Sequence, residues 1–157
     1  MKVHYSSKSN EWATPQAFFD KLNAEFHFTL DPCSTDANAK CAKHLTKRQN
    51  GLAQDWRGER VFMNPPYGRG KAGVGAWMRK AQSESAQFKG ALVVALVPAR
   101  TDTKWFHDYV AAFGYEVRFI RGRLKFGSGK NSAPFPSMLV IFDSNTPNYL
   151  KYFPFTK

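Results

Sequence analysis

Ala91, Leu92, Val93, Val94, Ala95, Leu96 and Val97 form an unbroken apolar run that Pro98 stops. A run this short and this rich in valine suits a strand covered on both faces. Such strands belong to parallel sheets flanked by helices. A chain of 157 residues is long enough for one layered domain of that kind, and it can bury roughly two thirds of its unfolded surface. Hydrophobic residues make up 43% of the chain, too many for wholesale disorder. No apolar stretch approaches the ~18 residues that a membrane-spanning helix needs.

The remaining punctuation fits that frame, and no internal repeat or low-complexity tract interrupts it. Residues 1–11 are polar and read as a flexible arm; without an apolar signal core they suggest a cytoplasmic protein. Thr14 followed by Pro15 reads as a helix start, with threonine at the cap and proline at the first helical position. Phe18, Phe19, Leu22 and Phe26 then share one helical face. Residues 26–30 alternate as a strand closed by Asp31 and Pro32, and residues 60–63 form a short strand running into Asn64, Pro65, Pro66 and Tyr67. A helix follows from Val74 to about residue 87, and another spans about 103–113 and ends at Gly114. Strands are expected at 116–121 and 137–142, with a basic segment rich in glycine and proline between them. This order implies a single α/β domain over residues 1–157. It is a compact Rossmann-like sandwich, with a mostly parallel sheet and an antiparallel C-terminal strand. Ligands of such sheets sit outside the carboxyl ends of the strands, here at Asp31, Asn64 and Pro98.

The charge points to a partner. There are 23 Lys and Arg against 12 Asp and Glu, a net charge of +11. Residues 60–80 hold five basic side chains and no acid, and so do residues 117–131; Lys40, Lys43, Lys47 and Arg48 form a third group. Acid-free clusters of this kind are the footprint of a polyanion, and nucleic acid fits better than a membrane because no helix is basic and amphipathic enough for a bilayer surface.

The tetrapeptide Asn64, Pro65, Pro66, Tyr67 carries the chemistry. Two prolines fix two φ angles and supply no N–H, and Asn64 is pushed to an extended conformation by the proline after it. The stiff turn exposes an amide oxygen, carbonyl oxygens and an aromatic ring. Two acceptors held close together suit an exocyclic amino group, and the ring can stack on a planar base. Positioning and electrostatics, rather than a strong base, would lower the barrier at such a site.

At this point the sequence resembles a family. Asn64, Pro65, Pro66 and Tyr67 at a strand end match the signature of S-adenosylmethionine-dependent amino-methyltransferases. With Glu11 to Pro15, Leu30 to Pro32, Asn38 to Cys41, Gly51, Leu52, Trp56, Pro98 to Thr103, Trp105 to His107, Gly122 to Phe126 and the strand at 137–142, the chain is similar to the short phage-type DNA N6-adenine methyltransferases. The resemblance implies a Rossmann-like methyltransferase fold, S-adenosylmethionine as cofactor, DNA as partner and the cytoplasm of a bacterial host as location. It implies that Asn64 Oδ1 and the Pro65 carbonyl accept from the adenine amino group, that Pro66 stiffens the turn and that Tyr67 stacks on an extruded base. It also implies cofactor contacts by position from Trp12, Thr14, Pro15, Asp31, Pro32 and Asp55. The same motif serves cytosine N4 and amide nitrogens in related families, and a non-catalytic DNA-binding protein with a vestigial methyltransferase fold is the remaining alternative.

Several features depart from that pattern. No Gly-x-Gly follows Asp31, residues 32–59 lack clear strand periodicity, and no acid stands out for the ribose hydroxyls. Thr14 also reads as a plain helix cap, and Asp31 as a turn former. For DNA, Arg69 and Lys71 follow the catalytic turn, and Arg121, Arg123, Lys125 and Lys130 lie between the last two strands; Phe126 reads as core. Cys33, Cys41 and His44 lack the paired spacing of a zinc knuckle, so free thiols and no metal are expected. A monomer is expected.

Overall fold

Helices pack on both faces of the central strand because its side chains alternate between two apolar layers. The computed structural model describes residues 12–127 and 130–145, and the backbone of a strand at 152–155. The arm expected over residues 1–11 lies outside them. In chain order the elements are α1 (Gln16–Phe26), β1 (Arg60–Met63), α2 (Val74–Ser85), β2 (Leu92–Pro98), α3 (Lys104–Tyr109), β3 (Glu116–Ile120), β4 (Ser137–Phe142) and β5 (Tyr152–Phe155). The sheet order is β1-β2-β4-β3-β5. β1 pairs parallel with β2, and β3 with β5, while β4 is antiparallel to both its neighbours. All strands but β4 therefore point the same way, which is the α/β architecture read from the sequence.

On one face Val61, Met63, Val93, Ala95, Val97, Val117, Met138, Val140 and Phe142 pack under α2 and α3 through Trp77, Met78, Ala81 and Trp105. On the other, Phe62, Val94, Leu96, Leu139 and Ile141 meet Phe18, Phe19, Leu22 and Phe26 of α1, together with Leu124 and Phe126. Phe126 is buried, as its apolar neighbours require. Each fully buried side chain of this size contributes about 1.5–3 kcal/mol relative to exposure. Among the described residues no helix is long and apolar enough to cross a membrane.

Three local features differ from expectation. Residues 26–30 form no full strand: α1 ends with His27 in the left-handed region at φ 51°, its N–H bound to the Asn23 carbonyl. Asn23 Oδ1 then takes the Phe28 N–H at 2.8 Å. Only single bridges remain, Leu30 to Val61 and Asp31 to His44. Residues 33–59 contain no strand of the sheet; they turn through short 3₁₀ segments at Lys47–Gln49 and Gly51–Ala53. β5 was not anticipated, because Pro154 breaks its pattern; as an edge strand it tolerates the missing N–H.

Candidate active site

A cleft of about 460 Å³ opens where β1 and the bridge from Leu30 to Val61 end. That is within the range of small-molecule sites, roughly 300–1,000 Å³. Trp12, Thr14, Asp31, Pro32, Asn64, Pro65 and Pro66 line it together, so residues far apart in sequence converge here. Pro15, Tyr67 and Asp55 are not among the lining residues.

The Asn64 amide is held in one orientation. Its Nδ2 donates to the Trp12 carbonyl and, at 2.9 Å, to Thr14 Oγ1. A carbonyl can only accept, so the nitrogen must face Trp12 and the oxygen must face away. Asn64 Oδ1 is then buried without a partner. A second buried polar atom of a cleft residue, Trp77 Nε1, also lacks one. Unmet groups of this kind cost stability unless a ligand satisfies them. Thr14 does not cap α1: the helix starts at Gln16, Pro15 is its N-cap, and no side chain caps it. The Thr14 hydroxyl is engaged with Asn64 instead.

Asp31 lies at the strand end with 4% of its surface exposed. Its Oδ2 accepts the Lys40 N–H at 3.0 Å, and its Oδ1 lies 3.4 Å from the Cys33 N–H. Burial pushes its carboxyl above the ordinary aspartate range, although those N–H groups and the nearby His44 pull the other way. A ligand cation would relieve the buried charge. Burial, and then the Asp31 charge, hold the Cys33 thiol well above its usual range, so it stays protonated. Among the described residues Asp31 is the only acid that lines the cleft; Thr35, Asn38, Lys40, Thr46, Lys47 and Asn50 add to the polar rim.

The opposite wall is built by the irregular segment. Trp56 is fully buried and stacks on Trp77 at 6.2 Å between centroids. Its indole N–H donates to the Gly51 carbonyl at 3.1 Å, and its backbone N–H to Glu84 Oε2 at 3.0 Å. A Cβ at Gly51 would lie 2.1 Å from the Pro32 carbonyl oxygen, so glycine is required where this wall closes on the strand end. The cleft roles of Asn50 and Trp77 escaped the sequence reading. Gly51 and Leu52 stand out in the sequence only through the resemblance, and Trp77 looks like any apolar helix residue.

The other anticipated residues lie elsewhere. The Tyr67 hydroxyl donates to the Leu96 carbonyl at 3.0 Å, and its ring meets Phe126 and Phe135 edge-on at 6.2 and 5.5 Å. Asp55, expected beside the cofactor, instead binds Arg57 through Oδ2 at 2.6 Å on the exposed surface, and Arg57 lowers its pKa to about 2. Pro15 borders a separate groove of about 270 Å³ with Lys21, Arg123 and Lys125. Arg69 and Lys71 are exposed beyond the turn, and Arg121, Lys125 and Lys130 are exposed on the β3–β4 connection. Arg123 Nη1 points to the Ala133 carbonyl at 3.4 Å. Arg118, counted in the same basic run, is occupied by Glu25 and Glu116. No group of three or more metal-ligating side chains comes together among the described residues.

A family model described as DNA N-6-adenine-methyltransferase (Dam) matches residues 3–151. The chain belongs to that family. It is a methyltransferase, in agreement with the resemblance carried by Asn64 to Tyr67. A relative named "Putative methyltransferase YfdM" in Escherichia coli (strain K12) is 41% identical over 66 residues, which cover 37% of this Dam-family chain and 71% of YfdM. Among solved structures, a protein titled a predicted O-methyltransferase, Atu636 from Agrobacterium tumefaciens, matches with a TM-score of 0.40 at 15% identity. That match covers 91% of this chain and 65% of the other, and at that level it adds nothing to the assignment. In the Dam-family chain, the turn bearing the unpartnered Asn64 oxygen therefore borders a cleft of ligand size.

Proposed function

We propose that the chain transfers a methyl group from S-adenosylmethionine to the N6 amino group of adenine in DNA. The observation that carries this reading is the buried, unpartnered Asn64 Oδ1 beside Pro65 and Pro66 at the cleft. The amino group of adenine has two N–H donors and seeks such acceptors. The cleft fits the cofactor chemically. Asp31 would meet the cationic amino group of the methionine moiety, and Pro32, Leu52 and Trp77 offer an apolar wall for its purine. Asn38, Thr46 and Asn50 would hold the ribose hydroxyls where no carboxylate stands. When bound, the cofactor supplies an electrophilic methyl on a sulfonium.

The chain's own residues then do three things. Asn64 Oδ1 and the Pro65 carbonyl accept hydrogen bonds from the amine, which hold its nitrogen in line and enrich its electron density. Pro65 and Pro66 keep that geometry at little entropic cost. Basic side chains around the rim, among them Arg69 and Lys71, attract the duplex and hold the strand from which the base is extruded. Extrusion costs a few kcal/mol. Tyr67 is anchored through its hydroxyl, which fixes the height of the ring beside the turn.

The test is incubation with duplex DNA and methyl-labelled S-adenosylmethionine, followed by digestion and mass spectrometry of the nucleosides. N6-methyladenine is expected. N4-methylcytosine would move the acceptor to another base, and no methylated nucleoside from the folded protein in any DNA would overturn the reading. Asn64→Ala should lower turnover by about 10²–10³-fold, as loss of a preorganised hydrogen-bonding group does, while DNA affinity stays nearly unchanged.

A further inference from the structure

A primary amide has two orientations of almost the same shape, related by a half turn about χ2. Only one of them presents an oxygen to an incoming amine; the other would set donors against donors. In this protein the Trp12 carbonyl chooses between them, because it can only accept, whereas a hydroxyl can serve either end of the amide. The Trp12 carbonyl and Thr14 Oγ1 both bind Asn64 Nδ2, which matches two acceptors to two amide protons. Thr14 is 6% exposed, so water does not compete well for its hydroxyl. That hydroxyl also has no capping role at α1. Among the described residues its partner lies on the turn that follows β1, 50 residues away in sequence.

We propose that Thr14 is a positioning residue: its hydroxyl is the second anchor that holds the Asn64 amide in the orientation the Trp12 carbonyl selects, so that Oδ1 stays aimed at the substrate amine. This rests on the methyl-transfer reading for its consequence, but not for its geometry. It assigns Thr14 to the catalytic turn instead of to the cofactor. It also explains why the segment before α1 and the strand-end turn meet: the segment supplies the acceptors that the turn lacks. Removing the hydroxyl leaves the Trp12 carbonyl alone to hold the amide, which then swings about χ2 and aims Oδ1 less well at the amine.

The experiment compares Thr14→Val, which keeps the shape and loses the acceptor, with Thr14→Ser, which keeps the acceptor. Thermal melts establish that each variant is folded. Thr14→Val should lower kcat about tenfold, the effect of losing one buried hydrogen bond. Its affinity for S-adenosylhomocysteine, measured by calorimetry, should stay within about twofold, and Thr14→Ser should recover most of kcat. Loss of S-adenosylhomocysteine affinity with kcat unchanged at saturation would place Thr14 on the cofactor and overturn the proposal, as would an unchanged kcat. A second readout needs no turnover. The Asn64 side-chain amide pair in a ¹⁵N spectrum, recognised by its loss in Asn64→Ala, should shift in the valine variant and not in the serine variant. An unmoved pair overturns the proposal even if Thr14→Val is too unstable to assay kinetically. If the wild-type protein methylates no DNA, the methyl-transfer reading falls, and the amide pair still decides what Thr14 does.

Discussion

The two walls of the cleft are built by different physics. One wall is the edge of the sheet: Asn64 leaves β1, whose ladder with β2 fixes Met63 opposite Ala95, and Leu30 bridges Val61 of β1, which sets Asp31 alongside. The other wall, within residues 33–54, has no sheet ladder behind it and turns through 3₁₀ segments. The Asp31–His44 bridge ties one part of it to the strand end, and one large side chain fixes the rest. Trp56 is buried under it, stacked on Trp77, with its indole N–H on the Gly51 carbonyl and its backbone N–H on Glu84. Lys80 neutralises Glu84 and also reaches the Gln54 carbonyl. A loop nailed by an aromatic wedge can thus hold a surface as definite as a strand end, with no periodicity to announce it.

Trp56→Ala is the strongest test of that contrast. It should cost about 3–5 kcal/mol of stability, the usual range for emptying a buried tryptophan site. Chemical denaturation measures it, and a loss below about 1 kcal/mol would mean that the irregular wall is held by something else. A smaller effect separates the walls by charge. Asp31→Asn should weaken S-adenosylmethionine binding by about 10–100-fold, as removal of a charge-assisted hydrogen bond does, whereas Asn50→Ala on the opposite wall should cost less. Calorimetry on both variants ranks them.

The pH dependence of Asp31 runs in two directions. Its folded pKa is raised above the value of 3.8 typical of the free side chain. The protonated form is therefore favoured in the fold, and the stability it contributes is present below the unfolded pKa and lost as pH rises through the folded one. If Asp31 holds the cation of the cofactor as proposed, affinity requires its carboxylate and should rise over that same window. Opposite slopes of melting temperature and affinity in the wild type, both flattened in Asp31→Asn, are the expected result. Parallel slopes would remove Asp31 from the cation site.

The smallest expected effect lies outside both walls. Arg69→Ala with Lys71→Ala should reduce the slope of log affinity for DNA against log salt by about 2, close to 0.9 for each phosphate that is no longer neutralised. Fluorescence anisotropy across a salt series reads it directly, and an unchanged slope would move the duplex to another face.

Much of this was legible in the chain. The apolar runs of β2 and β4 announced the sheet, and Val74, Trp77, Met78 and Ala81 announced α2. The proline-locked turn stood out because it is chemically unusual. The irregular wall was opaque for a physical reason: it is held together one side chain deep, by Gly51, Trp56 and Glu84, which share no repeat. Thr14 illustrates a different difficulty. A threonine before a proline looks like a cap from local sequence, and only the fold shows that a distant amide uses its hydroxyl first. Asp55 looked suited to the cofactor by position, but Arg57, two residues on, takes its carboxylate.

The reversed direction of β4 has a consequence for how such a protein can diversify. Because β4 runs back between β2 and β3, its first residue, Ser137, lies opposite Pro98 at the carboxyl end of β2. Residues 121–136 therefore leave and rejoin the sheet at the same rim. The two feet of this segment are not its only ties: Phe126 and Phe135 pack on Trp12 and Tyr67, and the Gly127 N–H donates to the Ala13 carbonyl. A change of length there must therefore keep those aromatic contacts, while the exposed Arg121 and Lys125 can be exchanged without disturbing the support of the turn at Asn64.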